Sequence, residues 1–251
     1  MTVSESGTGA ASRRRPKRSE LVAAEIVEEI AGRGLRPGDL LAPEGAMLDH
    51  YGIGRASLRE GLRLLESQGV VSLKPGPGGG PVVGHVEAAN LARTANLYFR
   101  LAGSTYRELA DALLFLEPWL ADRAAWRPDR PEVRSHLESA LAETDLVRDD
   151  PAGIVRTAPG FHQAIAALSG NLVLGIFSSA IAETFTTHVL GGIELGPHQG
   201  QFLAAHHDLA DAIIGGHPVR AHRLAAEHFR DIIDYCDSQA PGRLDDTVEW
   251  R

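Results

Sequence analysis

The hydrophobic periodicity of residues 87–240 is almost entirely that of α-helices. Apolar residues recur there at intervals of three and four, and no alternating pattern long enough for a useful β-strand interrupts them. The segment 109–126 is apolar nearly all round, which is typical of a helix at the centre of a bundle. The pattern therefore predicts an all-α domain large enough to bury its own core. Its predicted helices cover about residues 87–102, 105–126, 131–148, 154–168, 171–190, 200–215 and 218–237.

The N-terminal part has a different pattern, in which three helices precede two short β-type runs. The predicted helices occupy residues 19–32, 44–51 and 55–68, and the β-type runs occupy residues 70–73 and 81–83. A tip rich in proline and glycine separates the two runs, which predicts a hairpin. A phosphate-binding P-loop is the alternative for such glycines, but the lysine, hydroxyl residue and helix that must follow them are missing.

Charge is distributed unevenly along the chain. The formal net charge is −8, yet residues 1–86 carry 11 basic and 10 acidic side chains, whereas residues 87–251 carry 14 basic and 23 acidic ones. The N-terminal part also includes the run RRRPKR at 13–18 and both lysines of the chain. This asymmetry indicates that one part contacts an anionic partner and the other does not.

Cysteine usage and hydropathy indicate the compartment. The single cysteine, Cys236, excludes an intramolecular disulfide and a cysteine-rich zinc module, which fits a reducing environment. No apolar run approaches the length needed to span a bilayer, and the N-terminus lacks the apolar segment of a signal peptide. We therefore expect a cytoplasmic protein without a membrane partner.

The segment GIGRASLREGLRLL at residues 52–65 places three arginines along the edge of an apolar helix face. The arginines are Arg55, Arg59 and Arg63, and the apolar face comprises Leu58, Gly61, Leu62 and Leu65. One interpretation is a solvated surface helix whose arginines pair with neighbouring glutamates. The other is a helix that packs on one side and meets an anion on the other, and the flanking helices and hairpin favour this second interpretation.

The stretch LLAPEGAMLDHYGIGRASLREGLRLLESQGVVSLKPGPGGG closely resembles the DNA-binding domain of the GntR family of bacterial transcription regulators, over about residues 19–86. The resemblance implies a winged helix-turn-helix whose third helix enters the major groove of double-stranded operator DNA. The DNA contacts expected from it are Arg55, Ser57, Arg59, Arg63, Lys74 and Gly76. Two positions depart from the family: Gly45 stands where an arginine is common, and Gly54 where a hydroxyl residue is common.

Three of the eleven histidines, His162, His206 and His228, lie in the helical part at positions that can converge. His206 and His228 occupy equivalent inner positions on helices that we expect to be consecutive and antiparallel. A single histidine is most often a surface or core residue. Three convergent imidazoles instead favour a divalent transition metal site.

The phrases LEPWLADRAA, FHQAIAALSGN, HHDLADAI and AHRLAAEHF resemble the helical ligand-binding domain called FCD, which follows the DNA-binding domain in the FadR subgroup. The resemblance covers about residues 105–235. It implies a domain for effector binding and dimerisation, in which one aspartate and three histidines hold an ion such as zinc or nickel. His162, His206 and His228 match the histidine positions, and His206 keeps the family's spacing better than its neighbour His207.

Two positions of the FCD pattern are not filled as the family fills them. Ala158 stands where the aspartate ligand should be, and Leu113 stands where an arginine commonly holds the carboxylate of an effector. A less cationic pocket is therefore expected, with an effector that is larger and more hydrophobic than a small hydroxy acid, such as a fatty, aromatic or terpenoid metabolite or its coenzyme A thioester. The predicted pocket residues are Leu113, Phe115, Leu116, Ala158, Ile165, Phe177 and Ile181.

The predicted protein is a homodimeric transcription regulator, by expectation a repressor, that an effector releases from a palindromic operator. Its predicted parts are a disordered basic tail (1–18), a winged helix-turn-helix domain (19–86), an all-α effector-binding and dimerisation domain (87–240) and a C-terminal tail (241–251). Two alternatives come from other classes. One is a metal-dependent hydrolase that uses the three histidines, for which no general base is evident. The other is a DNA-binding protein whose helical domain binds no ligand.

Overall fold

The computed structural model describes residues 16–76, 79–85 and 87–250. The chain divides into two compact units, and the first of them ends at residue 86. Each unit has a hydrophobic core of its own. Most of the predicted basic tail lies outside the described residues, and its last member, Arg18, already belongs to the first helix.

The N-terminal unit contains three helices followed by a two-stranded antiparallel hairpin. These elements are α1 (Arg18–Arg33), α2 (Glu44–Tyr51), α3 (Arg55–Ser67), β1 (Val71–Lys74) and β2 (Gly80–Val83). In the hairpin, Val71 pairs with Val83 and Lys74 pairs with Gly80. The predicted winged helix-turn-helix is therefore confirmed.

The apolar face of α3 holds the N-terminal unit together. Leu58 and Leu62 are fully buried and belong to one cluster with Ile26 of α1 and Met47 of α2. Helix α2 ends at Gly52, which adopts a left-handed conformation with φ 60° that glycine accepts without strain. The amphipathic pattern of α3 thus positions its polar edge by burying the opposite side.

Helices α1 and α3 approach each other closely at Gly61. A Cβ atom at this position would lie 2.7 Å from Cγ1 of Val22 and 2.9 Å from the carbonyl oxygen of Ser19. Since Ser19 contributes a backbone atom, a larger residue at position 61 must push the two helices apart. Glycine in the middle of α3 is therefore required by packing, although it costs helix propensity.

The C-terminal unit is an all-α bundle, as the periodicity predicted. Its helices are α4 (Ala88–Ala102), α5 (Tyr106–Ala125), α6 (Arg130–Asp145), α7 (Pro151–Leu168), α8 (Leu172–His188), α9 (Gln199–Ile214) and α10 (Pro218–Gln239). Helix α5 packs against α7, α8, α9 and α10, and half of its 20 residues are buried. The central position predicted for this segment is confirmed.

The prediction of a C-terminal tail over 241–251 is wrong for the described part of that segment. A short 3-10 helix forms at Arg243–Asp245, and Leu244 and Val248 are both fully buried. The Val248 amide donates a hydrogen bond to the Ser104 carbonyl at 2.8 Å. The apolar residues of segment 241–251 are isolated and show no periodic pattern, so the sequence did not predict that this segment packs onto the bundle.

One helical stretch also corrects the expectation that no apolar run is long enough for a membrane. By length and composition, Leu172–Gly192 qualifies as the one candidate among the described residues, although core helices pass the same test. Buried polar side chains within it bond to the bundle, since Ser178 donates to Glu117 and Thr184 donates to Asn96. These bonds join the buried side of the stretch to the helical bundle.

We expect Gly61→Ala to destabilise the N-terminal unit by roughly 1–3 kcal/mol, because the added methyl group overpacks the contact between α1 and α3. Denaturant unfolding followed by circular dichroism would show the loss. Tryptophan fluorescence would not change, because all three tryptophans lie in the C-terminal unit. Gly45→Ala is the matched control, since a Cβ at this helical position meets no atom within 4 Å. Equal stability of the two variants would contradict the packing argument.

Candidate functional site

The arginine edge of α3 lies on the surface of the N-terminal unit. Arg55, Arg59 and Arg63 are all exposed, while the neighbouring face of the helix is buried. The first turn of α3 contains no acidic residue and its N-cap, Gly54, supplies no capping side chain. The amide groups at the start of α3 thus remain available, together with Arg55, to an anion such as a phosphate.

One of the three arginines has an ion-pair partner within the N-terminal unit. Nε of Arg59 donates to Oε2 of Glu44 on α2 at 3.2 Å. Both side chains are substantially exposed, and ion pairs of this kind contribute only about 0–1 kcal/mol. A phosphate or a base edge can therefore replace Glu44 as the partner of Arg59 at little cost.

The hairpin presents the other predicted DNA contacts. Lys74 and Gly76 are exposed at the end of β1, and Gly76 has φ 101°, which favours glycine. Residues 77 and 78 of the tip lie outside the described residues. Ser57 is half-buried in the first turn of α3. These placements are compatible with a DNA interface, and the individual contacts stay predictions.

The two family positions occupied by glycine are open in this structure. A Cβ at Gly45 or at Gly54 would meet no atom within 4 Å. Neither glycine is therefore imposed by packing, in contrast to Gly61. The absence of an arginine at position 45 removes one cation beside α3, and nothing in the fold explains this choice.

Three helices of the C-terminal unit bring the three predicted histidines together. His162 comes from α7, His206 from α9 and His228 from α10, and one nitrogen of each lies within 4.8 Å of the others. The Nε2 atoms of His206 and His228 are 3.1 Å apart. All three side chains are buried, so the centre is enclosed by the bundle. His207 instead points to the surface, where it faces Asp145 at 3.2 Å.

The surroundings keep the two innermost imidazoles neutral. Burial, reinforced by the neighbouring histidines, lowers the pKa of His206 and of His228 well below the usual value for histidine. Aromatic rings enclose the cluster: Phe161 stacks on His206 at 4.6 Å, and Phe202 lies 5.0 Å from His228. Neutral imidazoles with free lone pairs are the form that binds a metal ion.

The donor set fits a divalent ion such as zinc. Two nitrogens bound to one tetrahedral zinc are roughly 3.3 Å apart, close to the 3.1 Å between His206 and His228. Nδ1 of His206 is buried and has no hydrogen-bond partner among the described residues. The protein therefore does not satisfy this cluster by internal hydrogen bonds alone. Within the described residues, these histidines are the group arranged to hold a metal.

A buried carboxylate next to the histidines was not predicted. Oε2 of Glu117 on α5 lies 3.2 Å from Nδ1 of His162, and Oε1 accepts a hydrogen bond of 2.6 Å from the Ser178 hydroxyl. Glu117 is only 2% exposed. A signal was present in the sequence, because Glu117 interrupts a segment that is otherwise apolar nearly all round, and such a residue needs a partner.

Comparison with protein families agrees with this geometry in both units. Residues 18–79 match the family described as bacterial regulatory proteins, gntR family, and residues 108–231 match the FCD domain. The chain is a GntR-family regulator with a C-terminal FCD domain. Its N-terminal unit is accordingly a DNA-binding domain, and its C-terminal unit is an effector-binding domain.

Relatives extend the match over nearly the whole regulator. The repressor called NanR from Enterobacter sp. strain 638 is 26% identical over 89% of this chain and 88% of its own length. The NanR repressor from Edwardsiella tarda is 25% identical over 88% of this chain and 87% of its own length. A GntR structure from Streptococcus agalactiae has a similar fold, with a TM-score of 0.65 and 21% identity over 85% of this chain and 98% of that chain. These matches favour a regulator over the alternative of a metal-dependent hydrolase.

Two adjoining cavities of the FCD domain reach the histidine centre. An enclosed cavity is lined by Leu113, Ala158 and His162, and an open one of about 420 Å³ is lined by His228. The side chains shared by both walls are Leu190, Leu195, Phe202 and Ile232. Polar side chains are more numerous in the open cavity, where Asp231 and Asp234 contribute carboxylates, while His162 and Thr186 line the enclosed one. None of the described residues that line the two cavities is a lysine or an arginine.

Of the seven residues predicted to line the effector pocket, the structure brings Leu113 and Ala158 to these cavities. Phe115 and Phe177 are exposed, by 77% and 52%, and line neither one. Leu113 and Phe115 lie about 200° apart around a helix, so they cannot face the same space. The remaining three belong to the packing between helices: Ile165 is buried in the core, and Leu116 and Ile181 are half-buried.

Proposed function

We propose that this regulator is a homodimeric repressor that binds a palindromic operator and releases it when a hydrophobic effector enters the FCD domain. This proposal rests on an exposed arginine-edged helix in one unit and a ligand-sized cavity of about 420 Å³ in the other. The NanR relatives are named transcriptional repressors, which supports repression. Operator binding places the site of action in the cytoplasm.

The exposed edge of α3 supports direct reading of the operator. Arginine is suited to guanine edges because its guanidinium group forms two parallel hydrogen bonds. Arg55 and Arg59 are the arginines nearest the start of α3, and we assign base contacts to them. Ser57 and Arg63 are assigned to the phosphates beside the major groove that α3 enters. Lys74 and Gly76 are assigned to the phosphate backbone next to the hairpin, where they carry no sequence information.

A dimer is supported by an exposed apolar face on α8. This face consists of Leu172, Val173, Ile176 and Phe177, each more than half exposed. No charged residue occurs in α8 before Glu183. Exposed apolar faces commonly mark protein interfaces, and two-fold symmetry of the protein matches a palindromic site.

We assign a zinc or nickel ion to His162, His206 and His228. Three imidazoles leave a coordination position for water or for the effector, and a bound ion would supply a Lewis-acidic contact beside the cavities. Ala158 lies one helical turn before His162 and provides no ligand. The site therefore has three protein ligands where relatives of the FCD type use four.

The cavity walls support an uncharged, largely apolar effector. With no lysine or arginine on the lining, a carboxylate would have no bidentate cationic partner there. Asp231 and Asp234 also disfavour the phosphates of a coenzyme A thioester. A hydrophobic body with a hydroxyl or carbonyl group fits best, because the apolar walls contribute about 25 cal/mol per Å² of apolar surface buried.

We expect Arg55→Ala to weaken binding to the operator by about 1–3 kcal/mol while affinity for unrelated DNA changes little. Lys74→Ala should weaken binding to every sequence and lower the slope of log affinity against log salt by about one. Binding would be measured by fluorescence anisotropy on a site selected from random DNA, with sedimentation to verify the dimer. If the wild-type dimer selects no site, or if both variants behave alike, the assignment fails.

We expect metal-free protein to take up about one equivalent of zinc or nickel and to melt at a higher temperature when loaded. The stabilisation should be full near pH 7.5 and persist below the usual pKa of histidine, because burial lowers the pKa of His206 and His228; it should be lost in more acid solution, where protons compete for the imidazole nitrogens. His206→Ala should abolish uptake, whereas the matched change at the adjacent exposed residue, His207→Ala, should not. Elemental analysis of untagged protein gives the occupancy. Uptake below a tenth of an equivalent would reject the metal assignment.

We expect neutral hydrophobic compounds to stabilise the protein and to release it from DNA. At a ligand concentration a hundred times the dissociation constant, the free energy of unfolding should rise by about 2.7 kcal/mol. Small hydroxy acids should have a weaker effect. Phe202→Ala, in the wall shared by both cavities, should reduce the thermal shift, while Phe115→Ala should leave it unchanged because that ring is on the surface. A response to hydroxy acids alone would contradict this assignment.

A further inference from the structure

A buried carboxylate behind the first histidine is the least expected feature of the histidine centre. The FCD pattern places a carboxylate one turn before the first histidine, where this chain has Ala158. Glu117, in the LEP phrase on α5, places a buried carboxylate 3.2 Å from Nδ1 of His162. We propose that Glu117 is a positioning residue of the metal centre, which orients His162 and supplies a negative charge behind its ring. This inference rests on the proposed metal site.

The geometry assigns the two nitrogens of His162 to different roles. Nδ1–H donates to Oε2 of Glu117, so Nε2 is the nitrogen left for an ion. A carboxylate behind a metal-bound imidazole fixes its tautomer and orientation, and makes the other nitrogen a better ligand. His162 is also held by packing, since Phe229 lies edge-on at 5.0 Å. The ring thus has little freedom to turn away from His206 and His228.

Glu117 is itself held in place by the neighbouring helix. The Ser178 hydroxyl donates to its second oxygen at 2.6 Å, and Ser178 is completely buried on α8. Both carboxylate oxygens therefore have a donor, which offsets the cost of burying the charge. The chain of hydrogen bonds from Ser178 through Glu117 to His162 joins α8, α5 and α7. Occupancy of the metal site is thereby linked to the helix that bears the exposed apolar face.

The decisive variant is Glu117→Gln, which keeps the shape of the side chain and removes its charge. We expect it to lower zinc affinity by about 10- to 100-fold, the usual effect of losing such an outer carboxylate. Affinity would be measured on the full chain by competition with a chromophoric chelator. The melting temperature of metal-free Glu117→Gln should be close to that of metal-free wild type, since Glu117 is proposed to act on metal binding. Ser178→Ala should lower zinc affinity less than Glu117→Gln does, and Ser179→Ala, the matched control at the half-buried neighbour, should not change it.

The possible results separate the two proposals. If wild type binds no zinc, the metal assignment itself fails. If wild type binds zinc and Glu117→Gln binds it equally well, only the role of Glu117 is overturned. If Glu117→Gln loses the same stability relative to wild type with and without zinc, the role of Glu117 is also overturned. That outcome would indicate that Glu117 contributes to packing and not to metal binding.

A measurement on the wild type covers the case in which the variants do not fold. Nitrogen NMR of the zinc-loaded protein should show His162 bonded to the metal through Nε2, with a proton on Nδ1 that is protected from exchange and shifted far downfield. Cobalt substitution should give the visible bands of a nitrogen-ligated site. A His162 bound through Nδ1 would contradict the proposal, since that nitrogen could not then donate to Glu117.

Discussion

Burial of three imidazoles and one carboxylate within an apolar bundle is the constraint on which the rest of the FCD domain depends. Each buried polar group needs a partner, or it costs several kcal/mol relative to water. Glu117 has two donors, whereas Nδ1 of His206 has no hydrogen-bond partner among the described residues, and the Nε2 atoms of His206 and His228 share one hydrogen bond of 3.1 Å. The cluster is tolerable only if the helices hold it rigidly around neutral rings, and it gains most if an ion occupies the space between them.

The two units use charge in opposite ways. In the N-terminal unit the arginines of α3 are exposed to solvent, where ionisation costs little. Their field can attract a polyanion before contact is made. Gly61 allows α3 to lie close against α1, so that the apolar side of α3 is buried and its arginine edge faces outward. In the C-terminal unit, His206 and His228 are withdrawn from solvent. Burial lowers the pKa of both, which keeps their nitrogens available to a metal at neutral pH.

The substitutions at positions 113 and 158 act together on the shape of the site. Leucine and alanine add apolar surface to the enclosed cavity, and the carboxylate of Glu117 lies behind His162 and not on the cavity wall. A negative charge in that place can strengthen metal binding without repelling a ligand in the cavity.

The printed sequence was sufficient for the order and type of the helices, the hairpin and the two-domain organisation, because amphipathic periodicity is a local property that each helix displays on its own. It was also sufficient, through resemblance, to select His162, His206 and His228. It was not sufficient for Glu117, which lies 45 residues from His162, nor for the burial of Val248 beside the start of α5. It was not sufficient for the exposure of Phe115 and Phe177 either, since apolar residues of a bundle helix can face a cavity, the core or a partner with equal local patterns. Those outcomes depend on how the helices are rotated against one another, and this rotation is set by the packing of side chains that are distant in the chain.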